Sequence, residues 1–352
     1  MNGNDSKLYY TRRAEAKMTI KDIAKLSGVG VSTVSRVLNN NPAVSAASRN
    51  RVLDVIKKYN YIPNNSARNL VRVKIDAVGL VVRGIQNPFF TGIIRAIERD
   101  LDASGYAMVM RQIDSNADEI KTGALMEREK RLRGLIFLGG RSDYTKEEIA
   151  LIGVPFVCCT YTNVFGSLDE SDYSSVSILD EFEAHKAVEY LIRHGHRRIA
   201  ALTAGVDDSS VSQLRSTGYA NALSEFGIEG LDIICADDYS VENGYHAMKE
   251  RLKEPFDCTA LFVIADDMAL GAMRALRESG RRIPEDCSVI AIDGIPFTEY
   301  IEPMLTTLCQ PVAELGSRSV RILLDLINGG EQQHVTLNTK LRIGGSVRSI
   351  NE

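Results

Sequence analysis

The sequence predicts a small all-α helix-turn-helix head followed by an α/β body of two doubly wound lobes. Three observations predict it. A helix-turn-helix pattern lies between Thr19 and Asn39, two series of alternating strand and helix patterns follow from Asp76 onward, and the two parts differ in charge. Residues 1–74 hold 14 Lys and Arg against 4 Asp and Glu, a net +10, whereas the rest carries a net −14 within an overall −4. A basic segment on an acidic body is the pattern of a nucleic-acid-binding head.

In the head, Ile20, Ile23 and Ala24 follow helical spacing, with Leu26 near a turn at Gly28, and Val34, Val37 and Leu38 begin a second stripe. Ala24 lets two helices cross closely, Gly28 permits a left-handed turn, and β-branched Val34 locks the crossing. Val31, Ser32, Ser35, Arg36 and Asn39 stay on the open side. A short polar helix face with a central Arg suits the DNA major groove, where Arg pairs with guanine O6 and N7. A third helix fits Ser45 to Tyr59, with Val44, Val52, Leu53, Val55 and Ile56 as its apolar side. Pro63 ends it, and Asn65 or Ser66 caps a helix of about two turns running to Val71. A helix that short is unstable alone. Lys21, Lys25, Arg49, Arg51, Lys57, Lys58, Arg68 and Arg72 are candidate phosphate contacts.

In the body, strands are expected at Ala77–Val82, Ala107–Arg111, Gly134–Leu138 and Phe156–Thr160, with helices at Phe90–Ser104, Ala117–Leu132 and Lys146–Ile152. A second series opens after Asp180, with helices at Glu183–His194, Leu214–Phe226, Glu242–Leu252 and Asp267–Ser279. Its strands are Arg198–Thr203, Asp232–Cys235, Ala260–Val263 and Ser288–Ile292. Regular βα alternation implies parallel sheets covered on both faces, and ligands on such sheets bind beyond the carboxyl ends of the strands.

Other function classes find little support. The chain has no G-x-x-x-x-G-K-[ST], H-E-x-x-H, G-x-S-x-G or strand-following G-x-G-x-x-G motif, so no catalytic residue and no cofactor is expected. His194 and His196 in GHRR read as structural, and no metal site is expected. The six cysteines show no C-x-x-C spacing and read as buried free thiols of a cytoplasmic protein. No apolar run of about 18 residues offers a membrane span, and the N-terminus lacks the apolar core of a secretory signal. The competing reading is a solute-binding or enzymatic two-lobed α/β protein with an accessory DNA-binding head.

The run from IKDIAK through TVSRVLN to Pro63-x-x-x-Ala67-Arg68-x-Leu70 resembles the LacI/GalR (lactose-repressor) family of bacterial transcription regulators. Later landmarks extend the resemblance over about residues 18 to 350: Asn87–Phe90, Gly195–Ala200, Arg215–Tyr219, Glu242–Met248, Ala265–Met273, Ala291–Pro296, Leu305–Pro311 and Gly345–Arg348. The resemblance implies a body like periplasmic sugar-binding proteins and a homodimer that reads a near-palindromic operator on double-stranded DNA under control of a small-molecule effector. It implies a repressor responding to a sugar or sugar derivative, with no membrane partner. The chain stops at SVRSINE without the leucine heptad of tetrameric members, which favours a dimer.

Residue by residue, the resemblance assigns DNA contacts to Thr19, Val31, Ser32, Thr33, Ser35, Arg36, Asn39, Ser66, Ala67 and Arg68. Leu70 matches a residue that wedges into the minor groove and kinks the duplex. Gly30 stands where the family places a capping Ser. The effector cleft is assigned to Arg83, Phe89, Phe90, Thr160, Ser209, Arg215, Tyr239 and Asp293, while Asp266 is expected to cap the helix after it. Thr160 and Gly294 each replace an Asp usual in the family, and Arg83 and Gly84 replace a Pro-Asp pair, which suggests a more apolar or anionic effector than a neutral sugar. The implied organisation is an extension at 1–17, a DNA-binding domain at 18–63, a hinge at 64–75 and a body at 76–352. Within the body, the N-lobe takes 76–178 and 308–330, and the C-lobe 179–307 and 331–352.

Overall fold

The computed structural model describes residues 19–38, 41, 43–59, 76–84, 88–205 and 210–350. The extension at 1–17 and the whole segment assigned as a hinge, 64–75, lie outside them. The chain divides into two compact units, Met1–Lys74 and Ile75–Glu352.

In the first unit, α1 (Ile20–Ser27), α2 (Val31–Leu38) and α3 (Ala46–Lys58) enclose a small core of Ile23, Ala24, Val34, Val37 and Val52. Asp22 reaches back to accept from the Thr19 amide at 2.8 Å, which closes the first turn of α1. Gly28 stops α1 at φ 64°, and its amide bonds back to Ala24 O. The α2 start needs no side-chain cap to fix its register, because Gly30 O accepts from Thr33 N at 2.9 Å and Val34 N at 3.1 Å. Two expected core positions are exposed instead. Leu26 and Leu53 keep 48% and 46% of their surface, since among the described residues of so small a head no further layer packs over them.

The second unit holds two six-stranded sheets. The first uses β1 (Ala77–Arg83), β2 (Ala107–Ile113), β3 (Gly134–Leu138), β4 (Phe156–Cys159), β5 (Ser174–Ile178) and β11 (His334–Leu337), in the order β11-β5-β4-β3-β1-β2. The second uses β6 (Ile199–Ala204), β7 (Asp232–Ala236), β8 (Ala260–Val263), β9 (Ser288–Asp293), β10 (Thr306–Cys309) and β12 (Lys340–Arg342), in the order β12-β10-β9-β8-β6-β7. Every described pairing is parallel except β10 with β12. Central strands such as β3, β6 and β9 are buried along their whole length. That two-sided burial accounts for their continuous apolar runs.

The helices that matter for the site are α4 (Phe89–Ala103), α5 (Glu119–Lys130), α7 (Asp180–Arg193), α8 (Val211–Glu225), α9 (Val241–Arg251) and α10 (Asp266–Glu278). A short α6 (Lys146–Ile149) and a longer α11 (Val312–Ile327) complete the set. The N-lobe core splits across its sheet, and the C-lobe core is one larger cluster.

The lobe boundary after 331 is corrected. Residues 334–337 pair in parallel with β5 of the first sheet, and the chain enters the second sheet only at β12. The crossing therefore lies between Leu337 and Lys340. The start of the second N-lobe segment at 308 shifts too, since Leu308 and Cys309 still pair with β9. Two cysteines also depart from expectation: all six are free, but Cys235 is exposed on edge strand β7 and Cys309 is half-buried.

Candidate functional site

The cleft forms where the carboxyl ends of both sheets meet, within the second unit. It encloses about 320 Å³. Arg83 at the end of β1, Asp114 and Ser115 after β2, Gly139 and Gly140 after β3, and Thr160 after β4 supply the N-lobe wall, with Phe89 and Phe90 from the start of α4. Arg215 on α8, Tyr239 after β7, Asp293 ending β9 and Gln310 after β10 supply the C-lobe wall. Seven of the eight residues assigned to the effector thus line one cavity. The eighth, Ser209, lies outside the described residues.

The C-lobe wall is a closed polar network. Arg215 is 4% exposed, and its Nε donates to Asp180 Oδ1 at 2.8 Å. Its Nη1 donates to Ile264 O and approaches Asp293 Oδ1 at 3.4 Å. Asp293 also accepts from Gln310 Nε2 at 2.8 Å. Burial opposes the Arg215 charge, but Asp180 and Asp293 outweigh it and hold its pKa above the ordinary guanidinium value. Burial pushes Asp293 up to about 6 despite the guanidinium beside it.

Asp266 does not cap α10. Ala265 occupies the cap position, and the Asp266 carboxylate accepts from Ile295 N at 2.8 Å, Thr298 Oγ1 at 3.2 Å and Thr307 Oγ1 at 2.5 Å. It is fully buried and pins the β9–β10 connection to α10, which fixes the loop carrying Asp293. Burial raises Asp266 to about 7.

Backbone strain gathers at the same place. Of the three described non-glycine residues with positive φ, Thr160 (76°) and Asp293 (136°) both face the cleft. For β-branched Thr such a conformation costs on the order of 1–3 kcal/mol, and strain of this kind clusters at ligand sites. Gly294 takes φ 75°, and a Cβ there would stand 2.5 Å from Cys309, so the Asp usual in the family does not fit this loop.

The N-lobe wall differs. Phe89 is 6% exposed and belongs mainly to the core, tilted against half-buried Phe90 at 5.6 Å between ring centroids. Arg83 is not the unopposed cation that the sequence suggested. Glu119 Oε2 stands 3.7 Å from Arg83 Nε, and Glu119 is 1% exposed. Burial pushes its carboxyl above the usual glutamate value, against the pull of Arg83. Sequence reasoning missed Asp180, Gln310 and Glu119; only Gln310 lay in a motif already singled out, Leu305–Pro311.

On the head, Thr19, Val31, Ser32 and Arg36 are exposed, while Thr33 and Ser35 are half-buried. The Arg36 side chain makes no hydrogen bond among the described residues. Arg49, by contrast, donates to Asn41 O at 2.6 Å and so braces the connection between α2 and α3. Asn39, Ser66, Ala67, Arg68 and Leu70 lie outside the described residues.

The family model "Bacterial regulatory proteins, lacI family" matches residues 19–64, and a periplasmic binding protein-like domain matches 188–347. The HTH-type transcriptional regulator MalR of Clostridium butyricum is 40% identical over 328 residues, 92% of this chain and 97% of that protein. A lac repressor dimer bound to operator and the anti-inducer ONPF superimposes with a TM-score of 0.68 at 28% identity, over 95% of this chain and 100% of that one. A complex of the transcriptional regulator CelR with cellobiose gives 0.68 at 31% identity, over 94% and 99%.

Proposed function

Because this chain belongs to the lacI family of bacterial regulatory proteins, we propose that it works as a homodimeric repressor whose grip on a near-palindromic operator is set by a sugar or sugar derivative in the cleft. The observation that carries the proposal is the cleft itself: a ligand-sized cavity lined by strained backbone and by most of the residues the family uses for effectors. Two solved relatives support the assignment of partners, one bound as a dimer to its operator and one holding cellobiose. Its place of work is then the cytoplasm, where the DNA is. Its relatives are regulators, and nothing in the cleft favours catalysis as a second reading.

In this reading Arg36 reads a guanine, exposed Val31 meets a thymine methyl, and Ser32 makes a short polar contact. Thr33, Ser35 and Arg68 contact the backbone, Thr19, Asn39, Ser66 and Ala67 add further DNA contacts, and Leu70 wedges a central base step. The cleft residues Arg83, Phe90, Thr160, Ser209, Arg215, Tyr239 and Asp293 hold the effector, with Phe89 backing Phe90. Control needs only that the sugar bind one lobe arrangement better than the other, with the hinge at 64–75 carrying the difference to the head.

Arg36→Ala tests the DNA half. Fluorescence anisotropy with DNA from upstream of the protein's own gene and with a scrambled duplex should show specific binding falling toward the random level. Weak, salt-sensitive binding should survive, because phosphate contacts supply it. An unchanged ratio of specific to random affinity removes Arg36 from the reading role.

A further inference from the structure

The chain passes between the lobes three times: from β5 to α7, from β10 to α11, and from β11 to β12. Each crossing carries a buried polar side chain. Asp180 stands at the first, Gln310 at the second and Thr339 at the third, and none is more than 8% exposed. All three are bonded into the C-lobe. Asp180 accepts from Arg215 Nε at 2.8 Å, Gln310 Nε2 donates to Asp293 Oδ1 at 2.8 Å, and Thr339 Oγ1 donates to Glu183 Oε2 at 2.6 Å. Glu183 is buried and stands about one helical turn after Asp180 on the same side of α7. Lys186 Nζ donates to the same Glu183 oxygen at 2.6 Å and balances its charge.

The three anchors differ in what a ligand reaches. Arg215 and Asp293 line the cavity, so an effector that bonds to them competes for the groups that hold the first two crossings. Neither Glu183 nor Thr339 lines it. Their bond is short, buried and charge-assisted, the kind that is costly to leave unmade. We propose that the Glu183–Thr339 pair is the pivot of lobe movement: it fastens the third crossing to α7 while the first two respond to the ligand. It is a positioning pair that touches neither effector nor DNA. A fixed pivot leaves few lobe arrangements for a ligand to choose between. A loose one admits intermediates that accept effector and operator together, which weakens the coupling between them. The coupling role rests on the effector reading above; the pivot itself does not.

Two measurements on the full chain test it. The first needs no ligand. Spin labels on exposed Cys235 of the C-lobe and on Leu151→Cys of the N-lobe, with Cys309→Ser, report the distance between lobes by double electron-electron resonance. Labelled protein is diluted into unlabelled protein, so that each labelled copy has an unlabelled partner. Thr339→Val keeps the branched shape but cannot donate, and should broaden the distance distribution at least about twofold; Thr339→Ser should restore it. Glu183→Ala breaks the pair from the other side and should broaden it likewise, which covers a Thr339→Val protein that fails to fold. The second is isothermal titration with cellobiose, sucrose and ribose, to identify a sugar that binds the wild-type protein. Its effect on operator affinity should fall from roughly 5- to 150-fold in the wild type to below about twofold in Thr339→Val, and recover in Thr339→Ser. Its affinity for the DNA-free variant should stay within about twofold of the wild type. An unchanged distance distribution, full coupling in Thr339→Val, or a sugar affinity that falls in step overturns the pivot and leaves the effector reading standing. If no sugar binds the wild-type protein, the effector reading falls and the distance distributions alone decide the pivot.

Discussion

The two walls of the cleft solve the same problem in opposite ways. On the C-lobe wall, Arg215 is locked by Asp180, Asp293 and the Ile264 carbonyl, and Gln310 secures Asp293 in turn. On the N-lobe wall, Arg83 and Glu119 face each other across a gap that neither closes. One wall is preorganised and adds its hydrogen bonds at little reorganisation cost, whereas the other holds its charges only as a loose ion pair. A ligand that touches both walls favours the arrangement that brings the two lobes together. Differential affinity of that kind is what control of DNA binding requires.

The largest effect should follow from opening the closed wall. Arg215→Ala leaves Asp180 and Asp293 buried without their counter-charge, and a broken buried pair costs about 3–5 kcal/mol. Denaturant unfolding of the body should show that loss. A change below about 1 kcal/mol would mean that the network does not hold the wall.

A smaller effect should come from the carboxylates behind that wall. Burial, reinforced by Asp293, raises Asp267 to about 7, and it is 5% exposed. A carboxyl with a raised pKa binds more protons folded than unfolded. Its stabilising contribution is therefore fully present below about pH 4 and is lost as pH rises through about 7. Asp267→Asn should raise the stability of the body at pH 8 by up to about 4 kcal/mol and change little at pH 4. Thermal unfolding across that range checks it, and an equal effect at both ends would show that the carboxylate is not titrating.

The head helices and most of the strands were legible because they rest on spacing. Gly28 marked the turn, and the apolar runs at Ala77, Gly134, Ala260 and Ser288 marked central strands. Strand β5 was not legible: SSVSI has only Val176 and Ile178 as apolar residues among three serines, yet all five are buried, with Ser174 and Ser175 bonded to Gln332 and His334. That pairing also moved the last lobe crossing. In the cleft, Arg215 and Asp293 came from the family resemblance. Their partner Asp180 and the opposing Glu119 did not, for one shared reason. Each is the first residue of a helix, where an acid is what the helix dipole favours anyway. Only the fold shows that these two turn inward rather than to solvent.

The most direct test of the whole account is an anisotropy titration of the full chain with DNA from upstream of its own gene, with and without the sugar that titration identifies. Preference over a scrambled duplex should be at least about 10³-fold at physiological salt, and the sugar should shift operator affinity by roughly 5- to 150-fold. Equal affinity for both duplexes, or an operator affinity that no bound sugar changes, would contradict it.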